Sequence, residues 1–136
     1  MCEKSKKMYQ LPVDFDFEML SGCYLDMIGF GPNITKLDFS RLGGGSANPY
    51  RVTCVLEGAF SFICDGVPGT RDLDHPISIA PLLGLLMRDV VNVVQTGPAS
   101  VRIDFAPNGS VMLNGDDPSD FESYTIYPNA GDPIVV

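Results

Sequence analysis

The chain has 136 residues, 45% of them apolar, with no Trp, and it sets nine Lys and Arg against seventeen Asp and Glu for a formal charge of −8. That size and composition suit one soluble globular domain able to bury a core without staples. Lys4, Lys6 and Lys7 hold three of the cations, so the body from residue 9 onward carries six basic and sixteen acidic side chains; a body of that sign repels phosphate backbones and anionic lipid, which argues against nucleic acid or a membrane surface as partner and leaves a basic protein or a cation.

Residues 1–10 read as a loose N-terminal lead-in, and 11–136 as a single domain. No apolar run approaches the roughly 18 residues of a membrane span. Leu11-Pro-Val-Asp-Phe-Asp stands where a signal-peptide core would be, so the expected compartment is the cytoplasm. The sequons Asn33-Ile-Thr35 and Asn108-Gly-Ser110 carry no meaning without secretion. Asp16 can cap a short helical turn through Phe17–Ser21, which Gly22 ends. Tyr24–Phe30 reads as a strand and Gly31-Pro32-Asn33 as the turn after it. Strand Ile34–Ser40 alternates, with Thr35, Leu37 and Phe39 on one face and Ile34, Lys36 and Asp38 on the other.

Residues 31–39, Gly-Pro-Asn-Ile-Thr-Lys-Leu-Asp-Phe, return 66 positions later as 97–105, Gly-Pro-Ala-Ser-Val-Arg-Ile-Asp-Phe. Gly, Pro, Asp and Phe recur in place, and Lys36/Arg102 and Leu37/Ile103 keep their chemistry. The match predicts one small β unit used twice. Copy one spans about 14–64, an acidic connector 65–77, and copy two about 78–136. Within copy one, Leu42 to Pro49 is a Gly/Ser/Asn loop. Val52, Cys54, Leu56, Gly58, Phe60, Phe62 and Cys64 then share one parity of a long strand, bent or bulged at Gly58. Copy two opens with a short helical turn around Ser78–Leu83, where Pro81 is tolerable only in the first turn. Met87–Thr96, Ser100–Ala106, Ser110–Asn114 and Phe121–Tyr127 read as strands, Asn108-Gly109 as a hairpin turn, and Ile134–Val136 as a final edge. The expected class is α+β, mainly antiparallel: a meander sheet or open barrel from two degenerate repeats with two short helices.

Leu11-Pro12…Asp14-Phe15, Leu82-Leu83-Gly84, Asp104-Phe105…Asn108-Gly109 and Phe121-Glu122-Ser123-Tyr124 together resemble an uncharacterised bacterial domain-of-unknown-function family. Its closing motif usually looks like Tyr-Glu-Ser-Tyr; here Phe121 takes the first place. The resemblance covers the chain from residue 11 and implies a fold class rather than an activity.

Candidate chemistry is sparse. His75, the single histidine, lies in Asp72-Leu-Asp74-His75-Pro76, a composition that serves either a general base with its orienting acid or an exposed loop. One histidine excludes a multi-His zinc site, and Cys2, Cys23, Cys54 and Cys64 have no chelating spacing; neither metal nor cofactor is expected. Cys54 and Cys64 share an apolar strand face and read as inert core thiols. Gly43-Gly-Gly45-Ser46 lacks the Gly-Lys-Ser/Thr of a phosphate loop. Asp116, Asp117 and Asp120, with Glu122, concentrate oxygen ligands without the alternating spacing of a calcium loop, so this acidic turn is the first place to look for a binding surface. Tyr124 either anchors a partner there or closes the core through a backbone hydrogen bond. The leading expectation is a small acidic, non-enzymatic protein-binding module that neutralises a basic partner, as toxin-immunity proteins do. The alternative is a small-molecule-binding domain or minor enzyme with a pocket near His75 or Glu122. Exposed edge strands would also allow a homo-oligomer.

Overall fold

In a computed structural model, residues 10–42, 50–116 and 124–136 are described. The elements in chain order are β1 (Tyr24–Phe30), β2 (Ile34–Arg41), β3 (Tyr50–Glu57), β4 (Phe60–Cys64), β5 (Val67–Arg71), a 3-10 helix (Pro76–Leu85), β6 (Val90–Gly97), β7 (Ser100–Phe105), β8 (Gly109–Asn114), β9 (Tyr124–Tyr127) and β10 (Ile134–Val135). All pairings are antiparallel and form two five-stranded sheets, ordered β1-β2-β3-β9-β10 and β5-β4-β8-β7-β6. The mainly antiparallel α+β expectation holds; the strands make two five-stranded sheets around one core, not one continuous meander sheet and not a closed barrel.

The long extended stretch from Arg51 to Cys64 explains why. At Gly58 the backbone turns left-handed (φ 81°), a conformation glycine adopts without a Cβ clash. The chain leaves β3 in one sheet and enters the other as β4. Side-chain parity survives the corner: Val52, Cys54 and Leu56 before it and Phe60, Phe62 and Cys64 after it are all buried. The feature read as a bend or bulge is therefore a change of sheet. β9 makes the reverse passage after β8 and pairs with β3.

The two sheets repeat one register. β1 slips between Leu25 and Met27, opposite Phe39 and Asp38; β6 slips between Val90 and Asn92, opposite Phe105 and Asp104. Next across, Asp38 faces Thr53 and Asp104 faces Ser110, and each hydroxyl donates to the facing carboxylate, at 2.6 Å and 2.8 Å. The Gly58 amide donates to the Asn33 carbonyl and the Gly115 amide to the Ala99 carbonyl, both at 2.9 Å. Between the halves the contacts are reciprocal: the Leu25 amide donates to Arg88, the Val90 amide to Cys23, and Tyr24 bridges Asp89. Phe39 and Phe105, the last residues of the nine-residue match, stack with ring centroids 6.1 Å apart. Such reciprocity is the signature of a two-fold relation.

Three local expectations differ. Phe17–Ser21 forms successive tight turns, with the Asp16 carboxylate accepting from the Glu18 amide at 2.9 Å and Gly22 at φ 76°; so few residues cannot repay helix nucleation. The acidic connector contains β5, whose Gly69 lies under the Phe62 ring, where a Cβ would come within 2.8 Å of two ring carbons. The helical turn expected at Ser78–Leu83 extends into a 3-10 helix from Pro76 to Leu85 with Pro81 inside it. Ile79, Leu82 and Leu85 fill the core on its inner side. The β7–β8 connection is Ala106-Pro107-Asn108, with Ala106–Pro107 cis and Asn108 at φ 47°. No helix among the described residues is long and apolar enough to cross a membrane.

Gly109 stands opposite Phe105 at the start of β8, and a Cβ there would meet Leu85 Cδ2 at 2.5 Å and Phe105 Cβ at 3.3 Å. Gly109→Ala is expected to cost about 1–3 kcal/mol by overpacking. Urea denaturation measures the loss, and a change below about 0.5 kcal/mol would contradict the close packing of the helix end on β8.

Candidate binding surface

Charge on this molecule is distributed by what the cations touch. Arg51 pairs with Asp26 at 3.2 Å and approaches Asp38 at 3.9 Å; Arg88 pairs with Asp65 at 2.8 Å and Arg102 with Asp104 at 2.7 Å. Arg41 stacks its guanidinium 3.9 Å over the Tyr50 ring and donates to the Ser21 carbonyl. Lys36 is exposed. Asp14, Asp16 and Glu18 on the N-terminal turn, and Asp74 and Asp89 on either side of the 3-10 helix, are exposed with no described cation in ion-pair range.

Arg71 is 2% exposed at the end of β5. Its guanidinium donates to the carbonyls of Gly31 and Ile34 and to the Thr35 hydroxyl, clamping the β1–β2 turn; its Nε has no partner among the described residues. A buried cation is expensive to desolvate, and several carbonyl dipoles offset that cost here in place of a carboxylate. At the matching β6–β7 turn the arrangement is inverted. There the Asp116 carboxylate accepts from the Ala99 amide at 3.2 and 3.3 Å and from the Ser100 hydroxyl, while the Tyr124 hydroxyl donates to the Ala99 carbonyl at 2.9 Å.

The candidate residues fall out accordingly. Asp116 spends its carboxylate on a turn. Tyr124 is fully buried, the core-closing one of its two expected roles, and burial pushes its phenol well above the ordinary range. Asp117, Asp120 and Glu122 lie outside the described residues. His75 is 73% exposed, and its Nδ1 sits 3.0 Å from Asp72 Oδ2. The Asp74 amide, and then His75, hold the Asp72 carboxyl below its usual value. Ser78 Oγ bonds the backbone of Asp72 rather than the imidazole, so Asp72, His75 and Ser78 brace the loop entering the helix. A cleft of about 90 Å³ is lined by Phe17, Glu18, Ser21 and Val90–Val93; His75 is not part of it, and it is far below the ~300 Å³ of a typical ligand site.

Cys23, Cys54 and Cys64 are free and buried. Burial, with Asp38 behind it, pushes the Cys54 thiol up to about 12, the inert thiol expected of that strand face. Sequence reading missed Arg71, which looks like one more surface charge in a Gly/Pro-rich stretch. It also missed the uncharged run Pro76–Leu85, whose lack of any Asp, Glu, Lys or Arg was the available signal. Comparison with protein-family models, with curated proteins and with solved structures gave no match.

In the unfolded chain the Cys54 thiol ionises near 9.0, in the fold near 12. Between those values the unfolded chain releases a proton that the folded one keeps. This contribution is therefore complete below pH 9 and lost as the pH rises toward 12, by about 1.4 kcal/mol per pH unit. Urea midpoints from pH 8 to 11 are expected to fall, and Cys54→Val to flatten the decline; an unchanged slope in that variant would remove Cys54 as its source.

Proposed function

We propose that this chain is a small acidic, non-enzymatic protein-binding module whose partner is a basic protein. The carrying observation is the internal use of the described arginines: each is committed to a carboxylate, a carbonyl or an aromatic ring, while exposed carboxylates on the N-terminal turn and around the helix have no such partner among the described residues. A surface of one sign speeds encounter with a basic partner and rejects phosphate polymers and anionic lipid. Toxin neutralisation, in the manner of immunity proteins, is the biological role this charge fits. Three free buried cysteines support a reducing, cytoplasmic setting.

Two further readings belong with it. The shared register of the two sheets supports descent of both halves from one duplicated β unit within a single domain. Kinship with the bacterial domain family rests on its quoted motifs, of which Asp104-Phe105 closes β7 and Leu82-Leu83-Gly84 lies in the helix. Self-association through sheet edges is the weaker alternative, because β1 and β6 carry bulges and β5 carries Pro68, features that blunt an edge.

Affinity capture from host lysate at low and high salt, with mass spectrometry of the retained proteins, tests the reading. A basic protein is expected, held at low salt and released at high salt, with its affinity falling about tenfold or more between roughly 50 and 300 mM salt once measured with purified partner. Retention of acidic proteins alone, or an affinity indifferent to salt, counts against it.

A further inference from the structure

The 3-10 helix Pro76–Leu85 has no charged residue and one polar side chain, Ser78. Its inner side delivers Ile79, Leu82 and Leu85 to the core. Its outer side, where a surface helix ordinarily carries charge, presents Ile77 at 80% exposure and Leu83 at 44%, with Ala80 and Pro81 also exposed. The strip is pre-formed: a Cβ at Gly84 would lie 2.6 Å from Cys64 Sγ, so the helix end is seated directly on β4. Asp72 and Asp74 stand before the helix and Asp89 after it, all exposed. The neighbouring cation, Arg88, is occupied by Asp65 and the Pro107 carbonyl.

We propose that this outer face of the 3-10 helix docks a basic amphipathic segment of the partner protein, apolar residues against Ile77 and Leu83 and Lys or Arg at its ends against Asp72, Asp74 and Asp89. The proposal rests on the acidic-module reading and assigns it a surface. Charge complementarity selects the occupant. A second copy of this chain would bring the same carboxylates toward one another, and an anionic bilayer would be repelled by them. A segment with apolar residues at helical spacing between basic ends satisfies both the strip and its flanks.

The test uses the full chain and a synthetic Leu/Lys peptide of about 18 residues with helical spacing, alongside the same peptide with every Lys replaced by Glu. Amide chemical shifts and affinities are measured at low salt for the wild type and for the charge-neutral double variant Ile77→Gln/Leu83→Gln. Both sites are exposed, so the variant is expected to keep the wild-type urea midpoint. The Lys peptide is expected to move resonances within residues 72–89 and to lose about tenfold or more in affinity in the double variant, while the Glu peptide does not bind. Lys-peptide binding that maps elsewhere and ignores the variant overturns this surface and leaves the acidic module standing. Absence of Lys-peptide binding at low salt overturns both. Equal binding of the Glu peptide overturns the charge argument. A dimer in sedimentation that Ile77→Glu dissolves makes a second copy the occupant and overturns the assignment to a basic partner.

Discussion

The passage of each half's fourth strand into the opposite sheet governs the rest of this structure. β3 would present an unpaired edge if β9 did not join it, and β8 would do the same without β4. Neither three-stranded meander therefore satisfies its backbone within its own half, and a buried unpaired strand edge is costly. The corner at Gly58 works because the backbone turns while side-chain parity is kept, so Phe60 and Phe62 arrive facing the same core as Val52 and Cys54. Closure around Phe39 and Phe105 then fixes the distance between sheets, and the 3-10 helix supplies Ile79, Leu82 and Leu85 to that common core.

Within this frame the two halves solve one problem with opposite charges. Each first hairpin ends in a Gly-Pro turn with polar groups to satisfy. Arg71 answers the carbonyls of the first turn; Asp116, helped by Tyr124, answers the amide and carbonyl of the second. Both ions serve the backbone of their turns, Arg71 from within the core and Asp116 from the surface. The anionic character that remains outside comes from residues on turns and helix flanks, where the fold imposes little. Surface and scaffold are thereby separable at Asp74 and Ile77, both exposed and outside the sheets.

Much of the scaffold was legible in the sequence because strand parity depends only on alternation. The buried faces of β2, β3, β4 and β7 follow from Leu37, Phe39, Val52 through Cys64, and Val101 through Phe105. The nine-residue match located turn and strand in equivalent places in both sheets. Gly58 showed that the long strand was interrupted, but a change of sheet and a bulge leave the same trace in a sequence. β5 escaped notice since Gly66, Pro68 and Gly69 are turn signals, and only tertiary pairing with β4, with the Phe62 ring over Gly69, makes a strand of them. The helix was read short because Pro81 argues against an α-helix, whereas a 3-10 helix accommodates it. At the candidate surface, composition could name Tyr124 and Asp116 but not whether their polar groups faced out or were spent on the Ala99 turn, which is a matter of tertiary contact.

Interleaving the halves also orders events in time. A ribosome delivers β1 to β5 well before β9, so the growing chain holds β3 with an open flank and β4 with no β8 to receive it. The strand that pairs with β3 on that flank is complete only once residues 124–127 have left the exit tunnel. Until then Val52, Cys54 and Leu56 belong to an incomplete sheet that chaperones can recognise and that other nascent copies can pair with. The same geometry that gives the finished protein a single cooperative core makes its synthesis the interval of greatest exposure.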